Sequence, residues 1–194
     1  LNANVIVAAL GYFVDIYDLL LFGIVRVASL KGIGVPDSEL LEKGVLLINA
    51  QMFGMLLGGI LWGVIGDKKG RIAVLFGSIL LYSVANILNA FVTDIETYAA
   101  LRFIAGIGLA GELGAAITLV SETLTKEKRG YGTTIVASVG ILGAVVAAVI
   151  GDTFTWQTAY IIGGVMGLAL LALRVSMSES GLFHDTKKID CKKG

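Results

Sequence analysis

The sequence predicts an all-α membrane protein built from six transmembrane helices, with both termini on the cytoplasmic side. Three observations predict it. The first is composition: 56% of the 194 residues are hydrophobic, only 15% are charged, and mean hydropathy is +0.87. A soluble domain is nearer half apolar and about a quarter charged. With 26 glycines and 1 proline, the chain suits packed membrane helices, where glycine lets backbones approach closely. The second is a series of six mostly apolar runs, each near the ~20 residues that a bilayer-spanning helix needs. In hydrocarbon a helix satisfies every backbone amide within its own segment, which an open sheet does not. The third is an uneven distribution of lysine and arginine between the two sides.

The spans fall at roughly 3–29, 44–66, 71–92, 97–123, 131–151 and 157–175. The first contains GYFVDIYDLL, with Asp15 and Asp18 in the middle of an otherwise apolar run. It leads into KGIGVPDSELLEKG, where Asp37 or Ser38 can cap the next helix. The second span carries Gly54, Gly58, Gly59 and Gly63 at a spacing that marks close helix contacts. The turn GDKKGR separates it from the third span, and Gly66 and Gly70 permit tight geometry there. Arg102 and Glu112 lie in the fourth span, which TKEKRG closes. The fifth ends at DTFTWQ, and the sixth carries Gly163 and Gly167, another close-contact pair. Residues 1–176 are therefore read as the bundle and 177–194 as a cytoplasmic tail or the start of a linker. The amides Asn49, Gln51, Asn86 and Asn89 read as interhelical glue.

Orientation follows from the cations. Eleven (Lys68, Lys69, Arg71, Lys126, Lys128, Arg129, Arg174, Lys187, Lys188, Lys192 and Lys193) fall on the side of the odd-numbered span ends, against Arg26, Lys31 and Lys43 on the other. Cytoplasmic loops carry the excess. Net charge is zero and offers nothing to a nucleic acid. A single cysteine, Cys191, and a single histidine, His184, leave no cysteine- or histidine-based metal site. No cofactor is expected, and with no histidine in any span and no serine–histidine pair, no enzyme chemistry either.

The acids inside the spans draw most attention. A charge at mid-bilayer costs several kcal/mol, so intramembrane ionisable residues are functional candidates by default. Gly11, Asp15, Asp18 and Phe22 repeat at helical spacing and share one face. Tyr12 and Tyr17 flank the two aspartates. At 1.5 Å per residue, Arg102 lies ~15 Å outward of Glu112, in the same outer half as Asp18, so its side chain is expected to reach that aspartate. A set of acids held close together in a low dielectric can retain a proton and release it when a cation or substrate approaches. Static ion pairing that helps the helices assemble is the competing expectation.

Several motifs resemble one family. GVIGDKKGR, Gly63 to Arg71, is similar to the loop between helices two and three of the major facilitator superfamily. RFIAGIGLAGELGAA, Arg102 to Ala116, resembles its fourth-helix pattern, in the variant of the metabolite:proton symporter branch. The phosphate:proton symporter branch has a related pattern with aspartate at the position of Glu112. SETLTKEKRG, Ser121 to Gly130, resembles the loop between helices four and five, with Thr125 where proline is usual. Glu179-Ser180 looks like the acidic pair after helix six, and GYFVDIYDL like the opening helix of the same two branches. The fifth span has no proline and so lacks the Gly-Pro pair of the drug:proton antiporters.

The resemblance implies a fold of twelve helices in two halves, of which this sequence holds the first. The chain opens on leucine and reads as a segment of something longer. The expected function is a proton-coupled secondary transporter, or half of one, moving a small organic solute by alternating access. The alternative is a non-transporting six-helix subunit or scaffold. Expected partners are the solute, protons, membrane lipid and a second six-helix half, supplied by the same chain, a separate chain or a homodimer. Asp15, Asp18, Arg102 and Glu112, with Tyr12 and Tyr17, are the expected cavity and proton-coupling residues. A cytoplasmic gating network is implied at Gly63, Asp67, Lys68, Gly70, Arg71, Glu122 and Arg129. The expected location is a prokaryotic cytoplasmic (inner) membrane.

Overall fold

The protein was analysed as a computed structural model that describes the backbone of residues 3–123 and 129–190 and the side chains of 6–7, 9–70, 73–113 and 130–176. Six helices follow one another, with no strand among the described residues. They are α1 (Ala3–Gly32), α2 (Leu40–Lys69), α3 (Arg71–Asn89), α4 (Ile95–Thr123), α5 (Arg129–Thr153) and α6 (Trp156–Asp190). The 30 residues of α1 give about 45 Å of helix at 1.5 Å per residue, more than the ~30 Å hydrocarbon core. By length and composition α2, α5 and Trp156–Ser176 of α6 are apolar enough to cross a membrane. The shorter α3, and α1 and α4, which carry the ionisable groups, are outside that set.

Packing is not uniform around the bundle. α4 packs against both α2 and α3, α1 against α5, and α6 against α3 and α1. Glycines set the closest approaches. A Cβ on Gly58 would come within 2.5 Å of the Ile107 carbonyl, and one on Gly106 would strike that of Gln51, so α2 and α4 meet backbone to backbone. Gly163 and Gly167 of α6 make room for side chains instead: a Cβ on Gly163 would lie 2.5 Å from Asp18 Oδ1 and 3.0 Å from the Tyr17 ring, and one on Gly167 would strike Ser83 Oγ. Gly59 and Gly63, expected in the same role, face open space. Trp62 of α2 donates to the Ile107 carbonyl at 2.7 Å and pins the same seam.

The apolar side chains form two main clusters. One surrounds Leu21, Val25, Leu30, Leu47, Tyr98 and Tyr160. The other joins Val7, Val14, Ile79, Tyr82 and Leu170. Along α1 the boundary between them falls at Asp15 and Asp18. In contrast, α2 and α5 turn rows of large apolar residues outward, among them Phe53, Leu56, Ile60, Ile141, Leu142 and Val149. Such rows suit lipid or another apolar body and not water.

The turn between α2 and α3 is a single residue. Gly70 adopts φ +86°, a left-handed conformation that a side chain would strain, and its N–H donates to the Gly66 carbonyl at 3.0 Å. This accounts for the glycine in GDKKGR.

Candidate functional site: a buried charge cluster between α1, α3, α4 and α6

The α1 stripe is built as its spacing predicts: Gly11, Asp15, Asp18 and Phe22 are all buried. Asp15 is fully enclosed, and neither its carboxylate nor that of Asp18 has a hydrogen-bond partner of good geometry. Two cations face these acids from other helices, and they divide the site into two levels.

At the first level Arg102 of α4 is 1% exposed. Its Nη2 donates to Asn86 Oδ1 at 2.7 Å, and its guanidinium lies 5.1 Å from the ring centre of Phe22 and 5.2 Å from that of Tyr160. Ring faces attract a cation, more so where water is excluded. Tyr160 is itself held by a 2.5 Å hydroxyl contact to Tyr98, which shares a further 2.9 Å contact with Ser29. Arg102 lies within electrostatic range of Asp18, but no ion pair joins the two. Asn86 stands between them, bonded to the arginine and interacting with Asp18 at a looser geometry than a full hydrogen bond. The expected direct reach of Arg102 to Asp18 is thus replaced by a relay through an amide. Asp18, Gln51, Tyr82, Asn86, Arg102, Ala105 and Leu109 line a cavity of about 10 Å³, room for one water.

At the second level Glu112 of α4 is fully buried and pairs with Arg174 of α6, at 2.5 Å from Oε1 to Nη2 and 2.9 Å from Nη1 to Oε2. Gly11 makes room for the pair: a Cβ there would lie 2.7 Å from Glu112 Oε1 and strike Arg174 Nη2. Arg174 was counted from the sequence among the cytoplasmic boundary cations. It points into the bundle and is 7% exposed.

The remaining expected residues divide clearly. Tyr17 is buried and donates from its hydroxyl to the Ala159 carbonyl at 3.0 Å, which ties α1 to α6 beside Asp18. Tyr12 turns away from the acids and lies over Gly140 of α5, so it lines another seam. Asn49 is exposed, while Gln51 and Asn86, read only as glue, line the Asp18 cavity. In the implied gating network Gly63, Asp67, Lys68 and Gly70 are exposed, and Asp67 forms no ion pair among the described residues. The side chains of Arg71, Glu122 and Arg129 lie outside the described residues, as do those of Glu179 and Ser180. No group of three or more metal-binding side chains occurs among the described residues.

A family model described as Major Facilitator Superfamily matches residues 6–188. The chain belongs to the Major Facilitator Superfamily. Within the superfamily it is 33% identical over 178 residues to the putative niacin/nicotinamide transporter NiaP of Bacillus subtilis, a match covering 90% of this chain and 44% of that protein. It is 27% identical over 195 residues to the benzoate transport protein of Acinetobacter baylyi, covering 96% of this chain and 41% of that one. Among solved structures it superposes on the proton:xylose symporter XylE bound to 6-bromo-6-deoxy-D-glucose with a TM-score of 0.75 at 17% identity, over 89% of this chain and 44% of the other. That likeness establishes the fold. The chain spans less than half the length of the curated relatives it matches. It is an integral membrane protein of the superfamily's helical fold, matching one half of it.

Proposed function

We propose that this chain is the N-terminal six-helix half of a proton-coupled secondary transporter that moves a small organic solute by alternating access. The observation that carries the reading is the pair Asp15 and Asp18, buried on one face of α1 with no hydrogen bond of good geometry to either carboxylate and with Arg102 and Arg174 in electrostatic range. Two bare carboxylates in a membrane-embedded core are costly as structure alone. They are useful as groups that take up and release a proton. The names of the relatives, transporters of niacin and of benzoate, support a small organic acid as the first solute to test. Arg102, with the amides of Asn86 and Gln51 beside it, offers the donors that a carboxylate would use.

The reading includes a second six-helix body seated against this one, which supports the outward apolar rows of α2 and α5. Both termini face the cytoplasm, and the bacterial relatives support an inner-membrane location. The exposed residues Asp67, Lys68 and Gly70, together with Gly63, Arg71, Glu122 and Arg129, form the cytoplasmic latch.

The test is uptake of radiolabelled niacin and benzoate into proteoliposomes that hold the complete polypeptide, with and without an imposed proton gradient. Accumulation should require the gradient and should be lost on Asp15→Asn or Asp18→Asn. Gradient-driven accumulation that survives both substitutions would sink the reading.

A further inference from the structure

Arg102 carries its charge in a dry core, yet rings and an amide hold it, not an acid. A buried guanidinium without an ion pair is drawn to any carboxylate in range, and Asp18 is one. Something must keep the two apart. Asn86 is one such restraint. The other centres on Tyr160, whose ring centre lies 5.2 Å from the guanidinium.

Tyr160 ends a row of three buried hydroxyls: Ser29 of α1, Tyr98 of α4 and Tyr160 of α6. The row has one direction, because each hydroxyl has a single hydrogen to give. Ser29 donates to the Arg26 carbonyl at 2.9 Å, and a carbonyl only accepts. The Ser29 oxygen therefore accepts from Tyr98, at 2.9 Å. The Tyr98 hydrogen is then committed, so the Tyr98 oxygen accepts from Tyr160, at 2.5 Å. Bonds in such a series polarise one another. A phenol that donates into the series keeps more electron density on its ring, and the face of that ring attracts a cation more strongly. Tyr98 and Arg102 are one turn apart on α4, so Tyr160 meets both at once, the first with its oxygen and the second with its ring. Edge-to-face contacts with Tyr98 at 6.3 Å and Trp156 at 6.4 Å fix the plane of that ring. Phe22, the second ring near the guanidinium, is set edge-on to Tyr98 at 6.1 Å.

We infer that Ser29, Tyr98 and Tyr160 are positioning residues for Arg102. Their one-way row of hydroxyls holds the Tyr160 ring against the guanidinium and keeps Arg102 from closing onto Asp18. The Arg102 Nε, buried and without a partner, is thereby left for the carboxylate of a solute. That use rests on the transporter reading above; the positioning itself is testable without any solute.

The experiment is nitrogen–proton NMR of the complete polypeptide in nanodiscs, reading the Arg102 Nε–H signal, which is assigned by its loss in Arg102→Lys. In the parent the two rings should hold the proton upfield of exposed arginines. Tyr160→Phe, Tyr98→Phe and Ser29→Ala each break the row and keep the Phe22 and Tyr160-position rings. All three should move the signal downfield, Ser29→Ala least. Tyr17→Phe deletes another buried hydroxyl between α1 and α6, outside the row, and should leave the signal in place. In Tyr98→Phe the KM for gradient-driven niacin uptake should rise about three- to tenfold, with the maximal rate less affected. A signal unmoved in Tyr160→Phe and Tyr98→Phe, or moved as far in Tyr17→Phe, overturns the inference. So does an unchanged KM beside a moved signal. If one phenylalanine variant does not fold, the other and Ser29→Ala carry the same test, since each lacks a single oxygen. The expected signals with no uptake of niacin or benzoate by the parent overturn the transporter reading and leave the positioning standing.

Discussion

Asn86 on α3 accepts a 2.7 Å hydrogen bond from Arg102 on α4, and this one amide separates the arginine from Asp18. A buried bond to a charged group contributes about 1.5–3 kcal/mol, and removing the partner leaves the charge with the cost. Asn86→Leu should therefore lower the thermal unfolding midpoint of the detergent-solubilised protein by several degrees, at roughly 2–4 °C per kcal/mol. An unchanged midpoint would show that the bond does not hold α3 to α4.

The glycines of α2 make a paired prediction. Gly58→Val drives a side chain into the Ile107 carbonyl, which is backbone and cannot turn aside. Overpacking of this kind costs about 1–3 kcal/mol or more, so the variant should express poorly or elute as aggregate. Gly59→Val points into open space and should stay within ~0.5 kcal/mol of the parent, as ordinary surface changes do. Equal behaviour of the two variants, by size-exclusion profile and melting point, would contradict the α2–α4 contact.

Asp94 begins α4. Its Oδ1 accepts the Thr97 backbone N–H at 2.7 Å. That bond, with help from the Thr97 side chain, holds the Asp94 carboxyl below the usual aspartate range. A depressed value stabilises the helix start fully above the ordinary aspartate range and loses that contribution as pH falls through the lowered one. Carboxyl-carbon NMR of the protein in nanodiscs should place the Asp94 titration below that of a peptide aspartate, and the Thr97 amide shift should follow it. A midpoint at the peptide value would remove the cap.

Orientation is open to chemical labelling. Asp37, in the link between α1 and α2, and Lys68, at the end of α2, are both exposed at opposite ends of the same helix. With Cys191 replaced by serine, Asp37→Cys should react with a membrane-impermeant maleimide on intact cells. Lys68→Cys should react only after permeabilisation. The reverse pattern would invert the topology.

Much of the architecture was legible in the residues themselves. The stripe Gly11, Asp15, Asp18, Phe22 reads directly from helical spacing, because an acid in an apolar run has only the bundle interior to face. Arg174 was not read. An arginine at the end of an apolar run looks like a boundary cation, and only a partner on another helix says otherwise. Counting depth along the parallel helices α4 and α6 would have exposed it, since Glu112 and Arg174 lie at matching distances from their helix starts. Gln51 and Asn86 were passed over because an amide carries no charge to flag it; their proximity to Arg102 depends on helix rotation, which the apolar pattern sets only loosely. Tyr12 misled for the opposite reason. It adjoins the stripe in sequence, but one residue is about 100° of helix, enough to face α5 instead.

Gly70 has a consequence for how the bundle can move. With one residue between Lys69 and Arg71, the joint has no slack: a displacement of the end of α2 must be passed to the start of α3. The two helices share one fixed end point, so a shift of that end of α2 carries the start of α3 with it and the two cannot slide apart there. A displacement arriving at the outward face of α2 would therefore reach Asn86, and with it Arg102, through covalent structure as well as through packing. Lengthening this turn by even one or two residues would loosen that transmission while leaving every side chain of the charge cluster in place.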